Sequence, residues 1–380
     1  MPQRSSGRQL QEHPAATTAA TAPSTTRAGR QSSTFPKAGS GRGSAAVGGP
    51  GAERGRGRGR SEAWPGMLPV LAAAWSLPAV AFLAALLLLR APAWRSDGRG
   101  GVSDLFHELI RYGKTRPPGW SLNYLVPKSW FTHFYVVSVV WNGSLLYWLF
   151  RAEFLGESLP SWIQDMHRAL GRDSQSEDMG KCSTVLLTES AYSSALLVLL
   201  LLWLHSCRRL AECLWTSVFS NGFIHIVQYY YGLGFYIAVG STVLCQVPTN
   251  VRTGKELSVQ ICWYHIVGIT MYIWASLHQH RCLVILAKLR KNKSGKVVRL
   301  GYDVPFGDWF ESVSCPHYFA ELLIYVSMAI MLGFQNVTWW CVVMCVLFNQ
   351  ALAAVLSHEF YEKNFHSYPK HRKAFIPHVF

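Results

Sequence analysis

Long apolar runs separated by short polar segments dominate the chain from residue 67 onward. About 20 consecutive apolar residues span the hydrocarbon core of a bilayer. Seven runs approach or reach that length, the third being the shortest: Met67–Leu89, Phe131–Phe150, Tyr192–His205, Phe223–Val247, Ile261–Leu277, Tyr318–Phe334 and Val337–Leu356. The pattern predicts an all-α, multi-pass membrane protein with about seven transmembrane helices.

The first 65 residues have a different composition. They are rich in Ala, Gly, Ser, Thr, Pro and Arg and have no apolar periodicity, so they cannot bury enough apolar surface to offset the entropy cost of ordering. We expect residues 1–65 to be a disordered basic low-complexity tail, and residues 67–380 to be the membrane domain. The repeat Arg54-Gly-Arg56-Gly-Arg58-Gly-Arg60 leaves an RNA-binding module on a membrane anchor as an alternative to a merely solvated extension.

The net charge of +15 comes from 36 Lys and Arg against 21 Asp and Glu, in a chain that is half hydrophobic. Ten of the basic residues lie in residues 1–60. In the membrane domain, segments 90–130, 206–222, 278–317 and the C-terminus together hold twenty basic residues, whereas the alternate loops hold six. The positive-inside rule therefore places the first set, with the C-terminus, in the cytosol. The charge does not call for a nucleic-acid partner.

Ionisable residues beside apolar runs are candidates for function because they are costly at membrane depth. Glu212 and Glu321 are the clearest cases, and Glu–Arg pairs that stabilise helix ends are the structural alternative. His278 and His280 are two residues apart and point in different directions on a helix, and no C-x-x-C pair occurs, so no metal site is expected. Neither a strand followed by G-x-G-x-x-G nor a P-loop motif occurs. We therefore expect no soluble Rossmann domain, and any cofactor must bind between helix ends and loops.

Several polar motifs at the predicted cytosolic ends resemble the steroid 5-alpha-reductase family. They are Glu108–Thr115, Arg209-x-x-Glu212, Tyr302-x-x-Pro305-x-Gly307-x-x-Phe310, Tyr318-x-x-Glu321 and Phe360-Tyr361…Tyr368-Pro369-Lys370-x-Arg372-Lys373-Ala374…Pro377. Within the family the sequence is most similar to the polyprenal reductase branch, through Arg111–Thr115, Trp203–Ser206, Val218–Asn221, Leu289–Lys293, Val304–Phe310 and Ser367–Ala374. The resemblance covers about residues 67–380, with the family's C-terminal reductase region at about 205–380.

The resemblance implies an endoplasmic-reticulum membrane enzyme with a cytosolic cofactor site. It would use NADPH to reduce a carbon–carbon double bond conjugated to a carbonyl. For this branch the substrate would be the α-isoprene unit of polyprenal, giving dolichal for dolichol synthesis and protein N-glycosylation. The 4-ene of a 3-oxo-steroid is the alternative substrate, and a lipid-binding scaffold without turnover is the alternative function. The implied partners are a long isoprenoid in the bilayer and membrane lipids, with no nucleic acid and no obligate protein partner.

The same resemblance implies the site residues. Negative charge grows on the carbonyl oxygen during hydride addition, so a positioned donor is needed where water is excluded. Glu108 is the expected donor. The family's second donor, a tyrosine, falls near Glu212–Cys213, where this chain has no Tyr; Tyr112 or Glu212 is the expected substitute. The cofactor residues implied are Gln279, Arg290, Tyr302, His317, Glu321, Tyr361, Tyr368 and Arg372, with Arg290 and Arg372 on phosphates and with Gln279 and His317 standing where the family usually has Asn.

Overall fold

The computed structural model of the protein describes residues 70–91, 102–116, 124–170, 181–247 and 261–380. The predicted tail, residues 1–65, lies outside these ranges. The helices of the described residues are α1 (Val70–Arg90), α2 (Val102–Ile110), α3 (Phe131–Leu155), α4 (Ser161–Leu170), α5 (Lys181–Ala211), α6 (Ile226–Leu244), α7 (Trp263–Lys288), α8 (Pro316–Leu332) and α9 (Val337–Asn364). Each of the seven predicted apolar runs is helical over most of its length.

Within the described residues, three helical segments are long and apolar enough to cross a membrane: Val70–Arg90, Ala191–Thr216 and Val337–Asn364. Helix α8 is also apolar, but it has 17 residues. The chain is therefore a largely helical membrane protein, and crossing by the other four helices stays a prediction. Helix α7 is long enough to cross a membrane but is less apolar than these three segments. The polar residues of its second half, His278, His280, Arg281 and Lys288, lower its mean hydropathy.

A small two-stranded sheet adds to the predicted helical architecture. Strand β1 (Leu125–Pro127) pairs antiparallel with strand β2 (Phe223–His225), and Leu125 lies opposite His225. Three-residue strands are too short to produce a recognisable alternation in the sequence. The pairing ties the segment before α3 to the start of α6, and the Lys128 amide extends it by donating to the Gly222 carbonyl at 2.9 Å.

The helices pack mainly as α7 on α8, α1 on α9, and α3 on both α5 and α6. Small residues permit two of these contacts. A β-carbon at Gly268 would lie 2.3 Å from Met331 Cγ, so α7 and α8 could not approach as closely with any other residue there. A β-carbon at Gly240 would lie 1.8 Å from Asn142 Oδ1, between α6 and α3. These close contacts fix the spacing between α7 and α8 and between α6 and α3, and α7 and α8 carry several of the polar residues described below.

The described parts of the four segments with the excess of basic residues meet at one end of the helices, where the Lys128 amide binds Gly222. Ser220 lies 2.6 Å from the Tyr302 hydroxyl, and Arg372 donates to the Pro305 carbonyl at 2.8 Å. A parallel bridge joins Val313 to the C-terminal segment at Lys373. The arrangement agrees with the prediction that these segments share one face.

Candidate active site

A cavity of about 900 Å³ lies at this end of the helices. Its wall has two parts, named here the polar half and the apolar half. The polar half includes Lys114, Lys128, Gln279, Arg290, His317 and Glu321. The apolar half is formed by residues of α1, α6 and α9, among them Pro78, Phe82, Val227, Phe235, Val346 and Leu352. One chamber can therefore hold a charged group and a hydrocarbon group side by side.

Three cations of the polar half have no acidic partner among the described residues. No carboxylate in the described part of the chain forms an ion pair with Lys114, Lys128 or Arg290. The Lys114 ammonium lies 3.8 Å from the centre of the Tyr361 ring. The Arg290 guanidinium lies 4.9 Å from the centre of the Tyr302 ring and donates to the Gly301 carbonyl at 3.2 Å.

Burial and repulsion between neighbouring cations lower the pKa values of the two lysines. Burial lowers the pKa of Lys114 to about 8, and the nearby Arg290 contributes to the lowering. Burial lowers the pKa of Lys128 to about 8 as well, with contributions from Lys114 and Arg290. Since an unpaired charge is costly away from water, a polyanionic ligand that neutralises these groups would be strongly favoured.

The two carboxylates in the cavity wall are engaged elsewhere. Glu321 lies 3.2 Å from His205 Nε2 and accepts a hydrogen bond from the Gln279 side-chain amide. Asp303 pairs with Arg299. Neither carboxylate compensates the lysines, so the polar half carries a net positive charge.

Glu212 sits behind the wall in a buried cluster of its own. It accepts hydrogen bonds from Arg208 at 2.6 Å and from Arg209 at 2.5 Å. His280 Nδ1 lies 2.9 Å from the same carboxylate. Arg208 also donates to the Gln279 side-chain oxygen, which connects this cluster to the polar half. Glu212 thus anchors two arginines and lies outside the cavity wall.

Two tyrosine hydroxyls of the wall touch each other. Tyr112, in the segment after α2, lies with its hydroxyl 3.1 Å from that of Tyr318 in the first turn of α8. Burial raises the pKa of Tyr112, so this phenol keeps its proton at neutral pH. The pair therefore presents a neutral hydroxyl donor inside the cavity.

Comparison with known proteins decides the family. Residues 222–380 match the family model described as 3-oxo-5-alpha-steroid 4-dehydrogenase. The chain is 50% identical to the polyprenal reductase of Homo sapiens over 329 residues, which cover 84% of this chain and 99% of that protein. It is also 50% identical to the polyprenal reductases of Rattus norvegicus, over 83% of this chain and 97% of that protein, and of Xenopus laevis, over 83% and 98%. The chain belongs to the steroid 5-alpha-reductase family, in its polyprenal reductase branch.

This family consists of oxidoreductases that reduce carbon–carbon double bonds, generally with a nicotinamide cofactor. Most residues that the resemblance implied for the site lie together in the cavity wall. They are Tyr112, Gln279, Arg290, Tyr302, His317, Glu321 and Tyr361. His317 Nδ1 is buried and has no hydrogen-bond partner among the described residues, so it remains available to a ligand. The roles assigned to these residues stay predictions.

Two predicted cofactor residues form a second layer behind the wall. The Tyr368 ring stacks on Tyr361, with the ring centres 5.5 Å apart and the planes within 5° of parallel. Arg372 is almost fully buried, and its guanidinium lies 4.6 Å from the centre of the Phe306 ring. Its Nε and one terminal nitrogen have no hydrogen-bond partner in the described part of the chain. These two residues pack behind the wall. Two N–H groups of Arg372 are free to donate a hydrogen bond to a ligand.

The expected carbonyl donor Glu108 is not among the residues that line the cavity, although its neighbours Leu109 and Ile110 are. Its carboxylate forms an ion pair with Arg116 at 3.2 Å, and its side chain is 24% exposed. The structure therefore does not bring Glu108 together with Tyr112, although both belong to the same motif. Its predicted role as the carbonyl donor rests on the sequence resemblance alone.

Among the residues of the wall that were not sequence candidates are Lys114, Lys128 and Tyr318. Lys114 lies inside the Arg111–Thr115 motif, and Tyr318 is the first residue of Tyr318-x-x-Glu321. Residues three apart lie on one face of a helix, so the placement of Glu321 in the cavity was a signal for Tyr318. Lys128 follows β1, and only the sheet pairing brings it to the wall.

Proposed function

We propose that this chain is an endoplasmic-reticulum membrane enzyme that uses NADPH to reduce the α-isoprene double bond of polyprenal, giving dolichal. The observation that carries the proposal is one cavity whose wall, in the described residues, has an uncompensated cationic half and an apolar half. The names of the curated relatives agree with it, since they are polyprenal reductases. A cytosolic position of the cavity follows from the excess of basic residues at this end.

The residues of the polar half fit the proposed cofactor. Lys114, Lys128 and Arg290 suit its phosphates, because charge-assisted hydrogen bonds to phosphate are the strong ones. Gln279 and the unpartnered His317 Nδ1 suit the carboxamide, next to Glu321. When bound, NADPH supplies the hydride. The protein's own contribution is to neutralise the phosphates, orient the ring and exclude water from the reacting carbons.

The apolar half fits the hydrocarbon chain of the substrate. Its wall between α1, α6 and α9 offers aliphatic and aromatic surface, including Phe82, Phe235 and Leu352. An isoprenoid chain gains from this burial in proportion to the apolar area removed from water. The aldehyde then lies where the two halves meet, beside Tyr112 and Tyr318.

The test supplies membranes from cells expressing the full chain with NADPH and either polyprenal or a 4-ene-3-oxo-steroid. We expect NADPH oxidation with polyprenal, and a product two mass units heavier that retains the aldehyde. Oxidation with the steroid alone would contradict the substrate assignment. No oxidation with either, in membranes containing folded protein, would favour a lipid-binding scaffold. Membranes from cells lacking the chain are the control.

A further inference from the structure

Two neighbouring amides lie at the middle of helix α9 and line the cavity. Helix α9 spans Val337–Asn364 and is long and apolar enough to cross a membrane. Asn349 and Gln350 are the thirteenth and fourteenth of its 28 residues, and both belong to the cavity wall. Polar side chains at the centre of a membrane span are costly, so their presence indicates a function.

The usual structural role of such amides is to hydrogen-bond a neighbouring helix. Asn142 of α3 has this role, since its side-chain amide donates to Ser138 Oγ at 2.9 Å and Ser138 contacts Ser206 of α5 at 2.6 Å. Asn349 and Gln350, in contrast, form no hydrogen bond with any described residue. Within the described part of the chain they therefore do not attach α9 to another helix.

The other two amides of the described cavity wall are engaged. Gln228 donates to the Leu109 carbonyl at 2.6 Å. Gln279 donates to Glu321 and accepts from Arg208. A side-chain amide offers two N–H donors and one carbonyl acceptor. The two amides of α9 thus keep donors and acceptors for a ligand, and can bind either a carbonyl or a hydroxyl oxygen.

The surroundings of the two amides are mostly apolar. One helical turn before Asn349, the Cys345 thiol contacts the Tyr231 hydroxyl at 3.3 Å, and the Tyr231 ring centre lies 5.5 Å from that of Phe82 in α1. A hydrocarbon chain packed against the amides would remove their water without replacing its hydrogen bonds, which is unfavourable. A ligand that places an oxygen atom there avoids this cost.

The amides are far from the polar half but share its cavity. The Lys114 ammonium lies 3.8 Å from the centre of the Tyr361 ring. Tyr361 follows Asn349 by twelve residues of α9, a separation of about 18 Å along the helix axis. Between them, Ala353 and Ser357 continue the same wall. One elongated molecule can therefore place a carbonyl at the polar half and a second oxygen at the amides.

We propose that Asn349 and Gln350 form a second polar subsite, which binds a hydroxyl or carbonyl oxygen at the far end of an unsaturated aldehyde or ketone. The cavity then accepts substrates with two oxygen-bearing ends in addition to a plain isoprenoid aldehyde. Polyprenal has no oxygen at this position and leaves the amides to water. The inference rests on the proposed function, because the double bond is reduced at the other end of the cavity.

The test uses two α,β-unsaturated aldehydes of three isoprene units, one of which carries a hydroxyl on its last carbon. The measured quantity is the ratio of kcat/KM for the hydroxylated aldehyde to kcat/KM for the plain one. Asn349→Leu and Gln350→Met keep the approximate volume of each side chain and remove its hydrogen-bonding groups. We expect this ratio to fall about 10-fold in either variant, as when one hydrogen bond to the substrate is lost.

Asn364→Leu is the matched control, because Asn364 is an exposed amide at the end of α9 and lies outside the cavity wall. It should keep the ratio of the unsubstituted protein. Different partitioning of the two aldehydes into the membrane affects every variant alike, so it cancels when the ratios are compared. A role of the amides in packing alone would change both kcat/KM values together and leave the ratio constant.

A second readout does not depend on turnover. A saturated analogue with a ¹³C-labelled ketone at its far end is bound to the full chain, and the C=O stretch of that ketone is measured by isotope-edited infrared spectroscopy. The band should lie at lower frequency in the unsubstituted protein than in the variant with both Asn349→Leu and Gln350→Met. The same band in both proteins would mean that the ketone does not meet the amides.

Failure of this proposal is distinct from failure of the proposed function. If the unsubstituted protein reduces neither aldehyde, the proposed function fails. If it reduces both, and the ratio of kcat/KM agrees within about twofold in all variants, the amides bind only water. The subsite proposal then fails while the proposed function stands.

Discussion

Two groups of charges lie within or beside the same cavity, and they differ in how they are neutralised. Arg208, Arg209 and His280 converge on the buried carboxylate of Glu212. Lys114, Lys128 and Arg290 converge on open space, with no carboxylate ion pair in the described residues. A buried group whose charges are paired internally is complete without a ligand. A half-buried group of like charges that faces a cavity is neutralised only when an anion binds, so the comparison separates a structural cluster from a ligand-binding cluster.

Glu212→Ala should have the largest effect and should act on stability. Removing the carboxylate leaves Arg208 and Arg209 without their partner, and breaking a buried pair in this way costs about 3–5 kcal/mol. The free energy of unfolding, measured by denaturant titration in mixed micelles, should fall by that amount. The dissociation constant of the remaining folded protein for NADPH should stay near that of the unsubstituted protein.

The matched control is Asp165→Ala, which removes a carboxylate from an exposed pair with Arg168. Exposed pairs contribute little, so its unfolding free energy should change by less than about 1 kcal/mol. If Glu212→Ala lowered the free energy of unfolding no more than this control, the cluster around Glu212 would not stabilise the fold.

Lys114→Met and Lys128→Met should show the opposite pattern, with a loss of binding and no loss of stability. Each change removes a charge that has no carboxylate partner among the described residues, so stability should stay equal or rise. NADPH binding should weaken about 10–100-fold, as expected when one charge-assisted hydrogen bond to phosphate is lost. Quenching of tryptophan fluorescence measures the binding, and the unfolding titration above measures stability.

Lys293→Met is the control for this prediction, since Lys293 is exposed and lies outside the cavity wall. It should leave NADPH binding unchanged. Equal, small losses of affinity in all three variants would mean that the phosphates respond to the general positive field rather than to two particular lysines.

Local signals in the sequence predicted much of the fold and part of the site. The seven apolar runs predicted the helices because helical spans are continuous in sequence. The family resemblance implied Gln279, Arg290 and Glu321 as cofactor residues, and the structure places them in the cavity wall, where their roles stay predictions. Lys128 could not be predicted, because it reaches the wall through the pairing of β1 with β2, nearly 100 residues apart in the chain. The anchoring position of Glu212 is equally non-local, since one of its three partners, His280, comes from α7.

The pH dependence of NADPH binding should also distinguish the unpaired lysines from the arginines paired to Glu212, although the expected effect is smaller than those above. Burial and neighbouring cations lower the pKa values of Lys114 and Lys128 from 10.5 to about 8. Below pH 8 both ammonium groups are charged and ready for phosphate. Above it they lose protons in the free protein, and a bound polyanion raises their pKa values again, so binding must take up protons and weaken as the pH rises. Calorimetry at pH 8.5 in two buffers of different ionisation enthalpy should show this uptake, and Lys114→Met with Lys128→Met should abolish it. A buffer-independent enthalpy in the unsubstituted protein would mean that these lysines do not face the phosphates, whereas the paired arginines around Glu212 predict no uptake at any pH in this range.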